Sequence, residues 1–319
     1  MALGSPDVLV GCWTDEVHDT GVTVVLPPAG TVGACSVRGA APGTREAAAL
    51  GPTGRIGECH AIVLTGGSAF GLASADGVVA WCREHGRGYD VVTTCVPIVG
   101  AAVVFDLRED LAPPDAAAGR AACEVATVAD PAQGSVGVGR GCSVGKLAGR
   151  AHATKGGQGW AVVEAGGVVV GAIVAVNAFG EVLDEHGRVL AGSLAPPMAP
   201  RYPMVSLTQL AAWSAEAEAR MNTTIGCVVT TARLTKPDAC RAADLAHNGI
   251  VRAIEPPHTD ADGDAIFLLA TGKVEASVDL VAQLATQAVS SAIRNAVREA
   301  HATPGRPRDP RTDCRHTDD

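Results

Sequence analysis

The most apolar stretch of the chain, Trp160 to Val176, is broken by Glu164 and by the turn signal Gly166-Gly167. A membrane helix needs about 20 continuous apolar residues. The stretch therefore reads as two short strands, Trp160 to Val163 and Val168 to Val176, joined as a hairpin. The same rhythm of short apolar runs between Gly and Pro turns marks Val22 to Leu26, Val32 to Val37, His60 to Thr65 and Pro97 to Val104. Helical periodicity intervenes at Gly71 to Glu84 and around Asp115 to Ala126, before a Gly-rich passage from Gly134 to Gly149. The pattern is α/β with an antiparallel component.

The second half alternates more plainly. A helix expected over Leu207 to Arg220 leads into the β-branched run Thr224 to Thr230. The next helix starts at Thr235-Lys-Pro-Asp, where Thr235 can cap, Pro237 suits the first turn and Asp238 suits the dipole; it is expected to run to about Ile254. Ala265 to Ala270 reads as a buried strand. Ser277 to His301 reads as a long helix with an apolar stripe at Val278, Leu280, Val281, Leu284, Val289 and Ile293. No repeat or linker divides the chain, so residues 1–302 are expected to form one domain with sheets inside and helices outside. Residues 303–319, rich in Pro, Arg and Asp, read as a disordered tail.

Composition removes several classes of function. A formal net charge of −9 disfavours a nucleic-acid binder, which profits from a basic face. Aromatics make up only 3% of the chain, so the core must be built from Ala, Val, Leu and Ile. The 10 cysteines stand singly with no C-x-x-C pair, and the first residues carry neither a basic nor an apolar leader. Reduced, buried thiols in a cytoplasmic protein are the expectation, with no membrane partner.

Three motif matches fail on inspection. Gly66-Gly67-Ser68-Ala69-Phe70-Gly71 resembles a nucleophile elbow, but Phe70 stands where G-x-S-x-G needs glycine. Gly139 to Lys146 resembles a phosphate loop, but Arg140 and Leu147 break the pattern, and Val144 breaks the dinucleotide version. Asp260 to Asp264 resembles a calcium loop, but Gly263 is misplaced and Thr271 stands where a bidentate Glu is needed. No cofactor or metal is expected.

What survives is a set of polar residues in apolar surroundings: Lys146, Asn177, Asn222-Thr223, Asp262 and Asp264. Strand ends are where a rigid sheet presents side chains to a cleft. A threonine hydroxyl needs an adjacent base, and an N-terminal threonine supplies its own in its free α-amine. For Thr223 to become N-terminal, its hydroxyl must first attack the Asn222 carbonyl and cleave the chain there. Carboxylates could position the new amine, Asn177 could donate to an oxyanion and Lys146 could add positive charge. Residue types alone leave a second reading open: Thr223 and Thr224 as strand formers, Asn177 and the Asp262-Gly263-Asp264 stretch as turns, Lys146 as a surface charge.

An ordered set of segments goes further. Ala41 to Glu46, His60 to Gly71, Val96 to Val99, Gly145-Lys146, Val174 to Asn177, Asn222 to Gly226 and His258 to Gly272 together resemble the L-aminopeptidase/D-esterase and nylon-oligomer hydrolase family. The resemblance implies a four-layer αββα sandwich shaped like the arginine-biosynthesis acetyltransferases. It also implies a self-cleaving N-terminal-nucleophile hydrolase, split into 1–222 and 223–319, that acts on a small peptide or amide substrate. Homo-oligomers, tetramers foremost, are expected. By the same resemblance Thr223 is the nucleophile, Asn177 an oxyanion-hole residue, Lys146 an active-site lysine, and Asp262 with Asp264 the pair that orients the nucleophile. Thr223 with two aspartates is similar to the nylon-oligomer branch, whereas aminopeptidase members tend to carry a serine with a Ser/Glu pair. An acyltransferase on the same scaffold and an uncleaved ligand-binding relative are the rival readings.

Overall fold

The computed structural model describes residues 1–108, 112–196 and 222–302. The helix expected over Leu207 to Arg220 and the tail from residue 303 lie outside them. Two 5-stranded sheets carry the fold. Numbering only their strands, these are β1 (Leu9–Asp15), β2 (Thr20–Leu26), β3 (Val32–Val37), β4 (Thr44–Arg45), β5 (Ala61–Thr65), β6 (Val99–Val103), β7 (Gly157–Ala165), β8 (Val168–Asn177), β9 (Thr223–Arg233) and β10 (Ala265–Glu275). The helices that cover them are α1 (Ser74–Glu84), α2 (Ala116–Glu124), α3 (Lys236–Ala246), α4 (Asn248–Ala253) and α5 (Val278–Ala302).

The first sheet has the order β1-β2-β5-β6-β4 and the second β7-β8-β9-β10-β3. Across each, neighbours pair antiparallel, antiparallel, parallel, antiparallel. A parallel pair cannot be closed by a hairpin and needs a crossover. In the first sheet the crossover carries α1, and in the second it carries α3 and α4. The two sheets thus repeat one pairing pattern that no sequence repeat announces.

Three apolar layers separate the elements. Val22, Val24, Val63 and Val99 of the first sheet pack on Ala75, Val78, Ala118 and Ala122 of α1 and α2. Val25, Ile62 and Leu64 meet Ile173, Ile225, Cys227 and Phe267 between the sheets. Val170, Val174, Val228, Ile266 and Leu268 pack on Ala239, Ala243, Val281, Leu284 and Val289 of α3 and α5. The order is helix, sheet, sheet, helix: an αββα sandwich. Successive side chains of a strand point to opposite faces. Ile225, Cys227 and Val229 therefore lie between the sheets, Val228 and Ala232 under the helices, and Thr223 shares the parity of the first group.

Local signals account for most element ends. Thr235 caps α3 by accepting from the Asp238 amide, and Asp115 caps α2 by accepting from Ala118. The β7–β8 hairpin closes through Gly166 and Gly167, both at positive φ, with Ala165 opposite Val168. A two-residue turn of that hand favours glycine at both positions. Two expectations needed correction. Strand β7 begins at Gly157, earlier than Trp160, because it pairs along the whole of β8. The helix from Thr235 stops at Ala246, and α4 follows after His247. It does not reach Ile254, because Ile254 and Glu255 pair with Val182 and Glu181 as a short strand.

The nine cysteines of the described residues are all free, and Cys12 and Cys95 alone are not fully buried. Burial pushes the thiols of Cys35, Cys59, Cys123 and Cys142 up to about 12, as suits inert core residues. Among the described residues no helix is long and apolar enough to cross a membrane.

Candidate active site

Strand β9 begins at Thr223, directly opposite Asn177, the last residue of β8. Thr223 is 5% exposed, and its hydroxyl donates to the carbonyl oxygen of Asn222, the residue before it. That carbonyl oxygen also accepts the Gly263 amide at 3.0 Å, while the Asn222 amide donates to Ala261 at 3.2 Å. Asn222 is thereby held as a one-residue parallel bridge against Asp262. Gly263 has to be glycine for this approach. A Cβ there would lie 2.6 Å from the Ala41 carbonyl oxygen and 3.1 Å from Thr223 Oγ1.

Lys146 and Asn177 form one unit. Gly145 and Lys146 donate their amides to the carbonyls of Gly180 and Phe179, which turns the lysine side chain inward. Its Nζ donates to the Asn177 carbonyl at 2.8 Å and to Asn177 Oδ1 at 2.9 Å. Oδ1 also accepts the Ser143 amide at 3.0 Å, and Nδ2 donates to the Phe105 carbonyl at 3.0 Å. The amide orientation is thus set by its partners. Lys146 is 2% exposed and is not the surface charge of the alternative reading. Its burial, and next the positive charge of Arg150, lower its pKa to about 7.

Asp262 and Asp264 are each 2% exposed, so they are not a solvated turn either. Asp262 accepts from the Thr259 amide at 3.0 Å and hydroxyl at 2.6 Å through Oδ2, and from the Phe179 amide at 3.3 Å through Oδ1. Asp264 Oδ1 accepts the Thr224 amide at 2.6 Å, and its Oδ2 stands 2.7 Å from His258 Nδ1. Burial first, and the neighbouring charge of Asp264 second, raise Asp262 to about 6. These bonds go to the backbone and side chains around Thr223, so the pair holds the frame of the hydroxyl.

A cleft of about 270 Å³ opens onto Thr223, walled by Ala41, Pro42, Ser68, Val103 and Phe105 among others. Six of the seven ordered sequence segments, all but Val96 to Val99, therefore contribute to the cleft or to the residues around Thr223 from positions far apart in the chain. Ser68 reaches this cleft, but among the described residues no base hydrogen-bonds its hydroxyl. Its amide donates to Val104, and the preceding Gly67 donates to buried Asp106 at 2.6 Å, so the segment is a built turn. Among the described residues no group of three His, Cys, Asp or Glu side chains converges as a metal site would.

All of Lys146, Asn177, Asn222, Thr223, Asp262 and Asp264 are gathered at one end of the second sheet. Sequence reasoning missed Gly263, His258 and the Phe105 carbonyl. Gly263 and His258 lie inside the segment His258 to Gly272, but nothing in their residue type distinguishes an amide aimed at a carbonyl from any other.

Residues 5–310 match the model of Peptidase family S58. An uncharacterized aminopeptidase of Mycobacterium tuberculosis is 44% identical over 282 residues, covering 84% of this chain and 79% of that protein. A 6-aminohexanoate-oligomer endohydrolase of Agromyces is 33% identical over 275 residues, covering 85% of this chain and 74% of that protein. In fold, the chain resembles the L-aminopeptidase D-Ala-esterase/amidase of Ochrobactrum anthropi, whose structure is a variant of the Ntn-hydrolase fold. The TM-score is 0.67 at 19% identity, covering 93% of this chain and 86% of that one.

Proposed function

Since the chain belongs to peptidase family S58, whose members here include amide hydrolases, we propose that it is a hydrolase of the N-terminal-nucleophile type, which breaks its own Asn222–Thr223 bond and uses the freed Thr223 as nucleophile. One observation carries this reading: the Thr223 hydroxyl lies on the very carbonyl it must attack, and that carbonyl accepts the Gly263 amide.

In maturation, Thr223 Oγ1 adds to the Asn222 carbonyl carbon and the Gly263 N–H stabilises the developing oxyanion. The C–N bond breaks, the hydroxyl proton ends on the departing nitrogen, and an ester links the two pieces. Water hydrolyses that ester, leaving residues 1–222 with a new carboxylate and residues 223–319 with a new amine. In turnover the amine takes the Thr223 hydroxyl proton and the alkoxide attacks a substrate amide. Asn177 and Lys146 stabilise the tetrahedral oxyanion, the proton passes to the leaving amine, and water releases the acyl group. Asp262 and Asp264 hold the backbone on which the amine appears.

The substrate class follows from the cleft. Among the described residues its walls carry no charged side chain, which suits an aliphatic peptide or ω-amino-acid amide, the bond type named for the Agromyces relative. Assembly into a homo-oligomer, a tetramer foremost, and a cytoplasmic location complete the reading.

Denaturing mass spectrometry of the purified protein tests the maturation step. Two chains, the second beginning Thr-Thr-Ile-Gly, are expected; a single intact chain that nevertheless hydrolyses amides would overturn it. A panel of amino-acid amides, β-peptides and ω-amino-acid oligomers then ranks substrates, and added amine acceptors expose any transfer to a new amide.

A further inference from the structure

Two imidazoles lie in a row beside Asp264, His258 against the carboxylate and His247 against His258. His258 Nδ1 lies 2.7 Å from Asp264 Oδ2. Since an ionised carboxylate only accepts, Nδ1 is the protonated nitrogen there. The ring of His258 meets that of His247 edge-on, with centroids 5.0 Å apart and planes at 65°. His247 is 0% exposed and sits between α3 and α4, with Nε2 3.1 Å from the Ser36 carbonyl, so Nε2 carries its proton. Both remaining nitrogens, His258 Nε2 and His247 Nδ1, are buried without a hydrogen-bond partner among the described residues.

Such an arrangement is expensive to keep for packing alone. Burying an unpaired polar atom is costly, and here there are two, in neighbouring rings. His258 also stands at φ 53°, in the left-handed region that a residue with a side chain seldom occupies. These features have one common result, which is that the Nδ1–H of His258 is aimed at Asp264 from a ring braced by His247.

Asp264 passes the constraint on. Its other oxygen holds the Thr224 amide at 2.6 Å, and its carbonyl accepts the amides of Arg38 at 3.0 Å and Gly39 at 3.2 Å. Both carboxylate oxygens are thereby committed to N–H donors, one of them on the residue next to the nucleophile. Asp262 differs in what it holds: its partners are the Thr259 amide and hydroxyl and the Phe179 amide, none of them on strand β9. Of the two aspartates it is therefore Asp264 whose carboxylate ties His258 to the start of β9.

We propose that His258 is a positioning residue for the hydrolysis: braced by His247, it fixes Asp264, and through Asp264 the start of strand β9 that carries Thr223 and its freed amine. The inference rests on the reading of Thr223 as the nucleophile. It assigns His258 no contact with substrate and no proton transfer.

The test is a double-mutant cycle on the purified, self-cleaved enzyme, with His258→Ala, Asp264→Asn and the pair, reading kcat and KM separately. His258→Ala should lower kcat by about 10- to 100-fold, the scale on which a small misplacement slows catalysis, with KM within about twofold. Asp264→Asn in the His258→Ala background should cost no more than about a further twofold, because residues acting in series are not additive. His258→Asn keeps an N–H donor near the Nδ1 position and tolerates the left-handed backbone, so it should recover kcat to within about fivefold. It also keeps the test decisive if His258→Ala does not fold. Wild-type kcat in His258→Ala, losses that multiply in the pair, or an Asn variant no better than Ala would each overturn the proposal. If those variants behave as expected but Thr223→Ala retains turnover, the nucleophile assignment fails, and the inference with it.

Discussion

Asn177 stands directly opposite Thr223 in the antiparallel pairing of β8 with β9, with its side chain bonded on three sides to Lys146, Ser143 and Phe105. Register partners on one face are neighbours by construction, so the proposed nucleophile and the proposed oxyanion donor need no loop to bring them together. Replacing Asn177 by Ala should lower kcat by about 10²- to 10³-fold, as removal of one oxyanion donor typically does. Steady-state kinetics on the cleaved enzyme checks this; a loss confined to KM would place Asn177 in binding alone.

The adjacent threonines should respond oppositely. Thr223→Ala removes the attacking hydroxyl and should give one intact, inactive chain. Thr224 lies 1% exposed with an Oγ1 that has no hydrogen-bond partner among the described residues, so Thr224→Val replaces an unsatisfied hydroxyl by a methyl. That variant should cleave normally and unfold at an equal or higher urea concentration. Mass spectrometry and urea titration of the two proteins give the answer.

Gly263→Ala should slow self-cleavage without abolishing the fold. The added methyl meets the Ala41 carbonyl at 2.6 Å and Thr223 Oγ1 at 3.1 Å, so either the amide donor or the hydroxyl must move. A time course of the uncleaved fraction after translation measures the effect. Cleavage at the wild-type rate would show that the Gly263 amide does not serve the scissile carbonyl.

Lys146 makes stability depend on pH with a definite sign. Burial lowers it to about 7 in the fold, against roughly 10.4 in an unfolded chain. Between these values the unfolded state binds the additional proton, so stability rises with pH across that window. Below about 7 both states hold the proton and the penalty of burying the charge is fully present. In Lys146→Met this contribution should vanish. The unfolding free energy of wild type minus that of the variant should therefore climb from pH 7 to pH 10, as followed by urea titration.

Much of the site was legible before any coordinates because its chemistry is uneconomical in residue types. A lysine after a glycine turn, an asparagine ending an apolar strand and two aspartates before another strand are all costly to bury, and the ordered segments around them are distinctive. The alternative reading failed on burial for Lys146, Asp262 and Asp264, each 2% exposed, whereas Thr223 and Thr224 do open a strand. His258, Gly263 and the Phe105 carbonyl were not legible. Their roles depend on where a backbone amide or a ring nitrogen points, and residue type does not encode that direction.

By itself the sequence determined the strands, the capped helices and the Gly166-Gly167 turn, because periodicity, caps and positive φ act over a few residues. It also carried the ordered segments that mark the family. Only the tertiary structure decided that β5 and β6 pair parallel, as β9 and β10 do, and that Asn177 falls opposite Thr223. It alone placed the Gly263 amide on the Asn222 carbonyl and His258 behind Asp264. All but the last of those relations join residues tens of positions apart, and they are set by the register and packing of whole sheets, which no local pattern of side chains specifies.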